Sequence, residues 1–257
     1  MANNKKNPTT RFSDRVDYYI KYRPRYPANI LEFFKDELGL TSSSVMADIG
    51  SGTGFLSELF LDNGNRVYGV EPNKEMRETA EKLLKKYWKF RSVNGCAEDT
   101  TLLRRSVDFI TVGQAFHWFK IEKAQLEFSR ILKPGGWIVL LWNERLTDAT
   151  PFLQAYERLL LKYSIDYQQV DHRNVNNRKL DSFFGKGKYG IKIFKNSQEF
   201  DFNGLKGRLL SSSYIPMEEH SQYESMISEL KAIFKSHKQA GRICFEYDTK
   251  VYFGRLE

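Results

Sequence analysis

The chain has 257 residues, 41% of them hydrophobic and 14% aromatic, with 17 Gly and 7 Pro. That is a globular composition, neither disordered nor fibrous. The net charge of +8 is spread evenly, with 23 basic against 19 acidic residues up to residue 150 and 17 against 13 beyond it, which is weak evidence for a nucleic-acid partner. Two cysteines, Cys96 and Cys244, rule out a disulfide scaffold and a Cys-rich zinc site.

In chain order, residues 1–10 read as a polar leader with no apolar signal segment. Ser13 is placed to cap a short helix through Tyr22, which Pro24 and Pro27 interrupt. A second helix is expected over about 28–38, with Ile30, Leu31, Phe34 and Leu38 at helical spacing. Val45 to Ile49 reads as a buried strand, Phe55 to Leu61 as a helix ending near Gly64, and Val67 to Val70 as a second strand. Asn73 is a cap for a helix with Met76, Ala80, Leu83, Leu84 and Tyr87 on one face. Strands follow at Phe90 to Val93 and Val107 to Val112, then a helix over Ile121 to Leu132, a turn at Lys133 to Gly136, and a strand from Trp137 to Trp142.

Strands alternating with helices indicate a parallel sheet, and strands apolar throughout indicate cover on both faces. Beyond Thr150 the rhythm changes. A helix from Pro151 carries Leu153, Tyr156, Leu159, Leu160 and Tyr163, residues 164–187 read as a polar surface excursion, and Tyr189 to Phe202 reads as a strand. A helical face from Met217 to Phe234 and a last strand, Ile243 to Phe253, complete the chain. The expectation is one domain over 1–257, with segments 151–188 and 203–240 decorating its ligand face. No apolar run reaches the ~20 residues of a membrane helix. A soluble, cytoplasmic protein without a membrane partner is expected.

The informative segment is Asp48-Ile49-Gly50-Ser51-Gly52-Thr53-Gly54, between the first strand and its helix. Glycines let the backbone turn tightly and approach a ligand, and the helix N-terminus beyond favours an electron-rich partner. Position 55 is Phe, so the Gly-x-Gly-x-x-Gly dinucleotide fingerprint is absent; no Gly-Lys-Ser/Thr follows, so a phosphate loop is absent too. Glu71 ends the second strand, where an acid can accept both hydroxyls of a ribose. A glycine loop and a ribose acid without a phosphate site describe a nucleoside ligand.

Further on come Gly95-Cys96-Ala97-Glu98-Asp99 and Gln114-Ala115-Phe116-His117-Trp118-Phe119. Together with Arg23-Pro24-Arg25-Tyr26-Pro27, the glycine loop, Glu71 and Leu132-Lys133-Pro134-Gly135-Gly136, they make the chain resemble class I S-adenosylmethionine-dependent methyltransferases. The likeness is to the small-molecule type 11 group, similar to trans-aconitate methyltransferases, and covers roughly residues 12–145. It implies an α/β, Rossmann-like, doubly wound seven-stranded sheet, mostly parallel, with Ile243 to Phe253 as the antiparallel strand and helical lid elements, the first at 12–40.

The resemblance implies that Asp48, Gly50, Ser51, Gly52 and Gly54 surround the methionine part of the cofactor. It implies Glu71, with Pro72 beside it, on the ribose. Ala97 would meet the adenine, with Glu98 near its amino group, and Gln114 would complete the cofactor wall. Many relatives carry Asp where this chain has Cys96, so the adenine amino contact falls to Glu98 or to a carbonyl. The N-terminal segment would close as a lid, with Arg23 rather than Arg25 on the methionine carboxylate and Tyr18 or Tyr22 beside it. Phe116, Trp118, Tyr22 and Tyr214 are the expected acceptor wall, and Ser211 to Pro216 a second cover.

His117 is the candidate general base, a structural histidine being the competing reading. No metal site is expected. The acceptor is expected to be a small carboxylate, hydroxyl or amine compound, and the protein a monomer or homodimer. No Asn/Asp-Pro-Pro-Tyr/Phe tetrapeptide follows the fourth strand, which argues against methylation of adenine in nucleic acid. An RNA methyltransferase, a nicotinamide oxidoreductase and a cofactor-binding protein without catalysis are the alternatives.

Overall fold

The computed structural model describes residues 16–167 and 177–256. Ser13, the expected helix cap, lies outside them. Seven strands form one sheet in the order β3-β2-β1-β4-β5-β7-β6. They are β1 (Val45–Ile49), β2 (Arg66–Val70), β3 (Phe90–Val93), β4 (Val107–Gly113), β5 (Leu132–Arg145), β6 (Tyr189–Phe200) and β7 (Ile243–Gly254). All neighbouring pairs from β3 to β5 are parallel. β7 runs antiparallel to both β5 and β6, so it is the antiparallel strand, as the sequence led us to expect.

Alternate residues of the central strands feed two cores, which is why these strands are apolar throughout. On one face Ala47, Ile49, Ile110, Val112, Ile138 and Leu140 pack with helix α5 (Ile121–Ile131). On the other, Met46, Phe109, Val139 and Leu141 meet helices α2 (Asn29–Asp36) and α3 (Phe55–Asp62). Helix α4 (Lys74–Leu83) is capped by Asn73, whose side chain accepts from the Met76 amide. Leu83, expected on its apolar face, is instead 41% exposed.

A third core lies at one end of the sheet. There helices α6 (Pro151–Tyr163), α8 (Phe202–Leu210) and α9 (Tyr223–His237) bury Leu159, Leu209, Met226 and Leu230 against Ile243, Phe245 and Tyr247 of β7. α6 begins where expected, with Thr150 accepting from the Leu153 amide. Helix α1 (Val16–Tyr22) lies on α8, with the Tyr22 ring over Gly207.

Two expectations are corrected. The turn at Lys133 to Gly136 belongs to β5, which starts at Leu132 and slips register against β4 between Val107 and Phe109. The polar segment 164–187 contains helix α7 (Asn177–Phe184), whose Leu180, Phe183 and Phe184 are buried in the sheet core with Phe128 and Ile131. Three apolar residues at i, i+3 and i+4 made a core-facing stripe that the surrounding Asn, Lys and Arg obscured. Among the described residues no helix is long and apolar enough to cross a membrane.

Candidate active site

The parallel strands β1, β2 and β4 end at the same edge of the sheet, where the strand order reverses between β1 and β4. Such a switch point opens a crevice for ligands. Here it forms a cavity of about 540 Å³, within the range of small-molecule sites.

The glycine loop forms one wall. Gly50 and Ser51 donate their amides to the Val70 carbonyl at 2.8 and 3.1 Å, which carries the loop across the end of β2. Gly50 has φ +70°, and a Cβ there would stand 2.6 Å from Ala115 Cβ, so the loop and the β4 turn approach as closely as only glycine allows. At Gly52, φ +55°, a Cβ would meet nothing within 4 Å. Gly54 is not on the cavity wall. It sits at the N-cap of α3 in a left-handed conformation, packed against Leu84 and Ala80.

Glu71, 8% exposed, holds two parts of the wall together. Its two carboxylate oxygens accept the Gly52 and Asn73 amides, each at 2.9 Å. Each oxygen keeps a second lone-pair direction for a ligand hydroxyl. Burial pushes the Glu71 carboxyl up, against the pull of those two amides and of Arg77. Asp48 lies deeper, 1% exposed, and accepts from Ser57 Oγ at 2.7 Å and Thr111 Oγ1 at 3.5 Å. Burial raises its pKa from the usual 3.8 to about 7.

Pro72, Met76, Cys96, Ala97 and Glu98 form a further stretch of the wall. The Glu98 carboxylate accepts the Lys120 amide at 2.7 Å, which fixes it beside the 3₁₀ turn Phe116–Trp118. Gln114, His117 and Trp118 line the cavity. Gln114 has φ +59°, an uncommon conformation for a residue with a side chain. The His117 and Trp118 rings lie 4.5 Å apart. Phe116, expected on this wall, is fully buried among Phe119, Trp142 and Phe183 and belongs to the core.

Over the loop lies α1. Arg23 reaches the cavity and Arg25 does not: Arg25 pairs with Glu58 at 2.7 Å and covers the Phe55 ring. Tyr22 is also not on the cavity wall, because its ring is used to dock α1 against Gly207 and Phe200, and Tyr18 stacks on it. Tyr19, one residue on from Tyr18, lines the cavity instead, with the Arg23 guanidinium 5.5 Å from its ring centre.

Tyr214 lines the far wall together with Arg145, Tyr167, Arg208 and Ser213. Sequence reasoning missed Arg145, Tyr167 and Arg208, and Tyr19 and Met76 with them; Ser213 falls in the expected cover Ser211 to Pro216, and Phe119 ends the aromatic run expected at this wall. Arg145 and Arg208 sit in stretches whose only visible signal is a charged residue beside apolar ones.

Against known proteins, residues 47–140 match the methyltransferase domain family. An uncharacterized methyltransferase of Schizosaccharomyces pombe is 29% identical over 94% of this chain and 95% of its own. One from Geobacillus is 31% identical over 57% of this chain and 71% of its own. The chain belongs to the class I methyltransferases, in the type 11 group.

A type II methyltransferase structure from Anaeromyxobacter dehalogenans shares the fold of this methyltransferase, with TM-score 0.66 and 18% identity over 91% of this chain and 98% of the other. So does Haemonchus contortus phosphoethanolamine N-methyltransferase 2, in complex with phosphomonomethylethanolamine and S-adenosylhomocysteine: TM-score 0.56, 16% identity, 96% of this chain and 58% of the other. These comparisons establish the group and leave the likeness to trans-aconitate methyltransferases as an expectation.

The cofactor of the fold is S-adenosylmethionine. The residues present fit it. Gly52 leaves open space at the loop, and Glu71 retains lone pairs toward it. Arg23 Nε and Thr53 Oγ1 are out of contact with solvent and make no hydrogen bond to a described residue, as expected of atoms that a ligand satisfies.

Proposed function

We propose that the enzyme methylates a small molecule held wholly inside the cavity. The observation that carries this reading is the closure of the site: α1 lies over the loop and is tied to the opposite wall by Arg23 Nη2, which donates to the Ser211 carbonyl at 2.9 Å. The chain after it is held as well, because Asn143 Nδ2 donates to the Pro24 carbonyl at 3.3 Å and Asn196 Nδ2 to that of Arg25 at 2.8 Å. A strand of RNA needs an open groove; a roofed cavity suits a compact acceptor.

Bound S-adenosylmethionine supplies an activated methyl group on a sulfonium, so the protein contributes alignment more than covalent chemistry. In this reading Glu71 accepts the ribose hydroxyls, Ala97 and Glu98 meet the adenine, and Arg23 pairs with the methionine carboxylate. Asp48 and the loop amides flank the same end. His117 takes the proton from a hydroxyl or amine acceptor, a step worth about 10²–10⁴-fold; a carboxylate acceptor needs no base. Trp118 and Tyr214 bound the acceptor.

The test is S-adenosylhomocysteine binding by calorimetry, followed by a screen of small acids, phenols and amines for S-adenosylhomocysteine release. Binding and turnover with a small acceptor are expected. Turnover that requires RNA, with binding that weakens steeply as salt rises, would overturn the small-molecule reading.

A further inference from the structure

The half of the cavity away from the glycine loop is built on arginine. Arg23, Arg145 and Arg208 all line the cavity, and Arg145 and Arg208 are 8% and 6% exposed. A guanidinium does not shed its proton in a protein, and a buried charge is costly unless it is paired.

Arg145 is paired. It forms an ion pair with Glu157 and donates to the Tyr167 hydroxyl at 3.1 Å. Among the described residues Arg208 has only neutral partners: its Nε donates to the Tyr247 hydroxyl at 3.3 Å, and its Nη1 to Ser211 Oγ and Ser212 Oγ at 3.4 Å each. Its Nη2 makes no hydrogen bond to a described residue. The Arg23 side chain likewise donates, among the described residues, only to the Ser211 carbonyl and Ser212 Oγ, and burial together with the nearby Arg208 pushes its pKa down. Among the described residues no carboxylate pairs with either arginine.

Two cations that share a water-poor wall without a counter-ion are stable together when ligands bring the anions. The cofactor has one carboxylate, which the proposed function gives to Arg23. That leaves Arg208 with none. We propose that the methyl acceptor is a small organic acid whose compact anionic head, a carboxylate or a phosphate monoester, seats on Arg208. This rests on the methyltransferase reading of the same cavity.

The pattern of partners supports a recognition role over a scaffolding one. Arg145, in the same cavity, carries its own acid and stays satisfied without a ligand. Arg208 is held in place by three hydroxyls, which orient a guanidinium but leave its charge free. Such a fork suits bidentate recognition of a carboxylate or phosphate. Ser213 and Tyr214 bound the seat with neutral groups.

The test measures probe binding to the enzyme saturated with S-adenosylhomocysteine. The probes are benzoate against benzamide, glutarate against glutaramide, and phenyl phosphate against phenol, each up to about 20 mM by calorimetry. At least one acid should bind tenfold or more tightly than its neutral partner. Arg208→Gln should reduce that preference to under threefold with S-adenosylhomocysteine affinity unchanged. Arg208→Lys should keep the preference with weaker binding, and it decides the matter if the Gln variant does not fold. A preference for phenyl phosphate over both carboxylates identifies the head as phosphate. If acids and neutral partners bind alike, if no acid binds, or if the preference survives Arg208→Gln, the proposal fails. Failure of the wild-type protein to bind S-adenosylhomocysteine would instead remove the cofactor reading beneath it.

Discussion

Asp48 offers the sharpest test of how the cofactor half works, because its burial disfavours its charged form. Its pKa rises from 3.8 to about 7, chiefly through burial, and the Ser57 and Thr111 hydroxyls offset only part of that. A carboxyl whose folded pKa is raised contributes stability below its unfolded pKa and loses it as pH climbs through the folded value. Without added ligand the enzyme should therefore lose stability between about pH 4 and pH 7. A shift of about three units at ~1.4 kcal/mol each is a cost of about 4 kcal/mol above pH 7, or about 8 °C in Tm for a chain of this size. Asp48→Asn keeps an oxygen for Ser57 and removes the charge. It should raise Tm at pH 8 by about that amount and flatten the pH dependence. In the same reading the amino-acid end of the cofactor needs Asp48 ionised. S-adenosylhomocysteine should then bind wild type about tenfold more weakly at pH 6 than at pH 8, with proton release visible in buffers of different ionisation heat. A wild-type affinity that is flat over this range, or an Asn variant less stable at pH 8, would refute the argument.

The remaining predictions address neighbouring groups. Glu71→Ala should lower S-adenosylhomocysteine affinity by roughly 10²–10⁴-fold, the loss of about two charge-assisted hydrogen bonds at ~1.5–3 kcal/mol each; calorimetry that finds an unchanged affinity removes Glu71 from the ribose. His117→Ala should lower kcat with cofactor affinity within a few-fold, whereas a variant that keeps its rate and loses Tm would mark a structural histidine. Residues 16–27 should exchange amide hydrogens more slowly when S-adenosylhomocysteine binds. Arg23→Ala should abolish that protection and Arg25→Ala should not; equal protection with and without ligand would rule out the lid.

The cofactor half of the site was legible because it is local. Asp48, the glycine loop, Glu71, Ala97 and Glu98 sit where strands end, and strand ends are marked by apolar runs that stop at Gly, Glu or Asn. Even within the N-terminal segment, the choice of Arg23 over Arg25 matches their placement, because the Glu58 carboxylate draws Arg25 outward. What could not be read was which side of a short helix faces the ligand. Tyr18, Tyr19 and Tyr22 look alike in sequence, and only the fit of the Tyr22 ring over Gly207 turns Tyr19 inward. Phe116 failed for a similar reason: between two cavity-lining stretches, its ring follows the apolar core of α7, an element hidden in a polar segment.

The acceptor half follows a different logic. Its arginines come from the loop after α1, the end of β5 and the interior of α8, at positions 23, 145 and 208. They meet because α6, α8 and α9 build a separate core on the antiparallel strand β7, the part of the chain where the parallel rhythm has ended. In the proposed reading the strand-end loops hold the methyl donor, whose geometry the chemistry fixes, while the helical core supplies the wall that meets the acceptor. Arg23 joins the halves in the proposed reading, which gives it the cofactor carboxylate, and it donates to the Ser211 carbonyl at the C-cap of α8. Arg208, one turn earlier in that helix, donates to the hydroxyl of the same serine. Ser212 Oγ accepts from both arginines as well, so the segment that follows α1 and the wall around Arg208 share two adjacent serines.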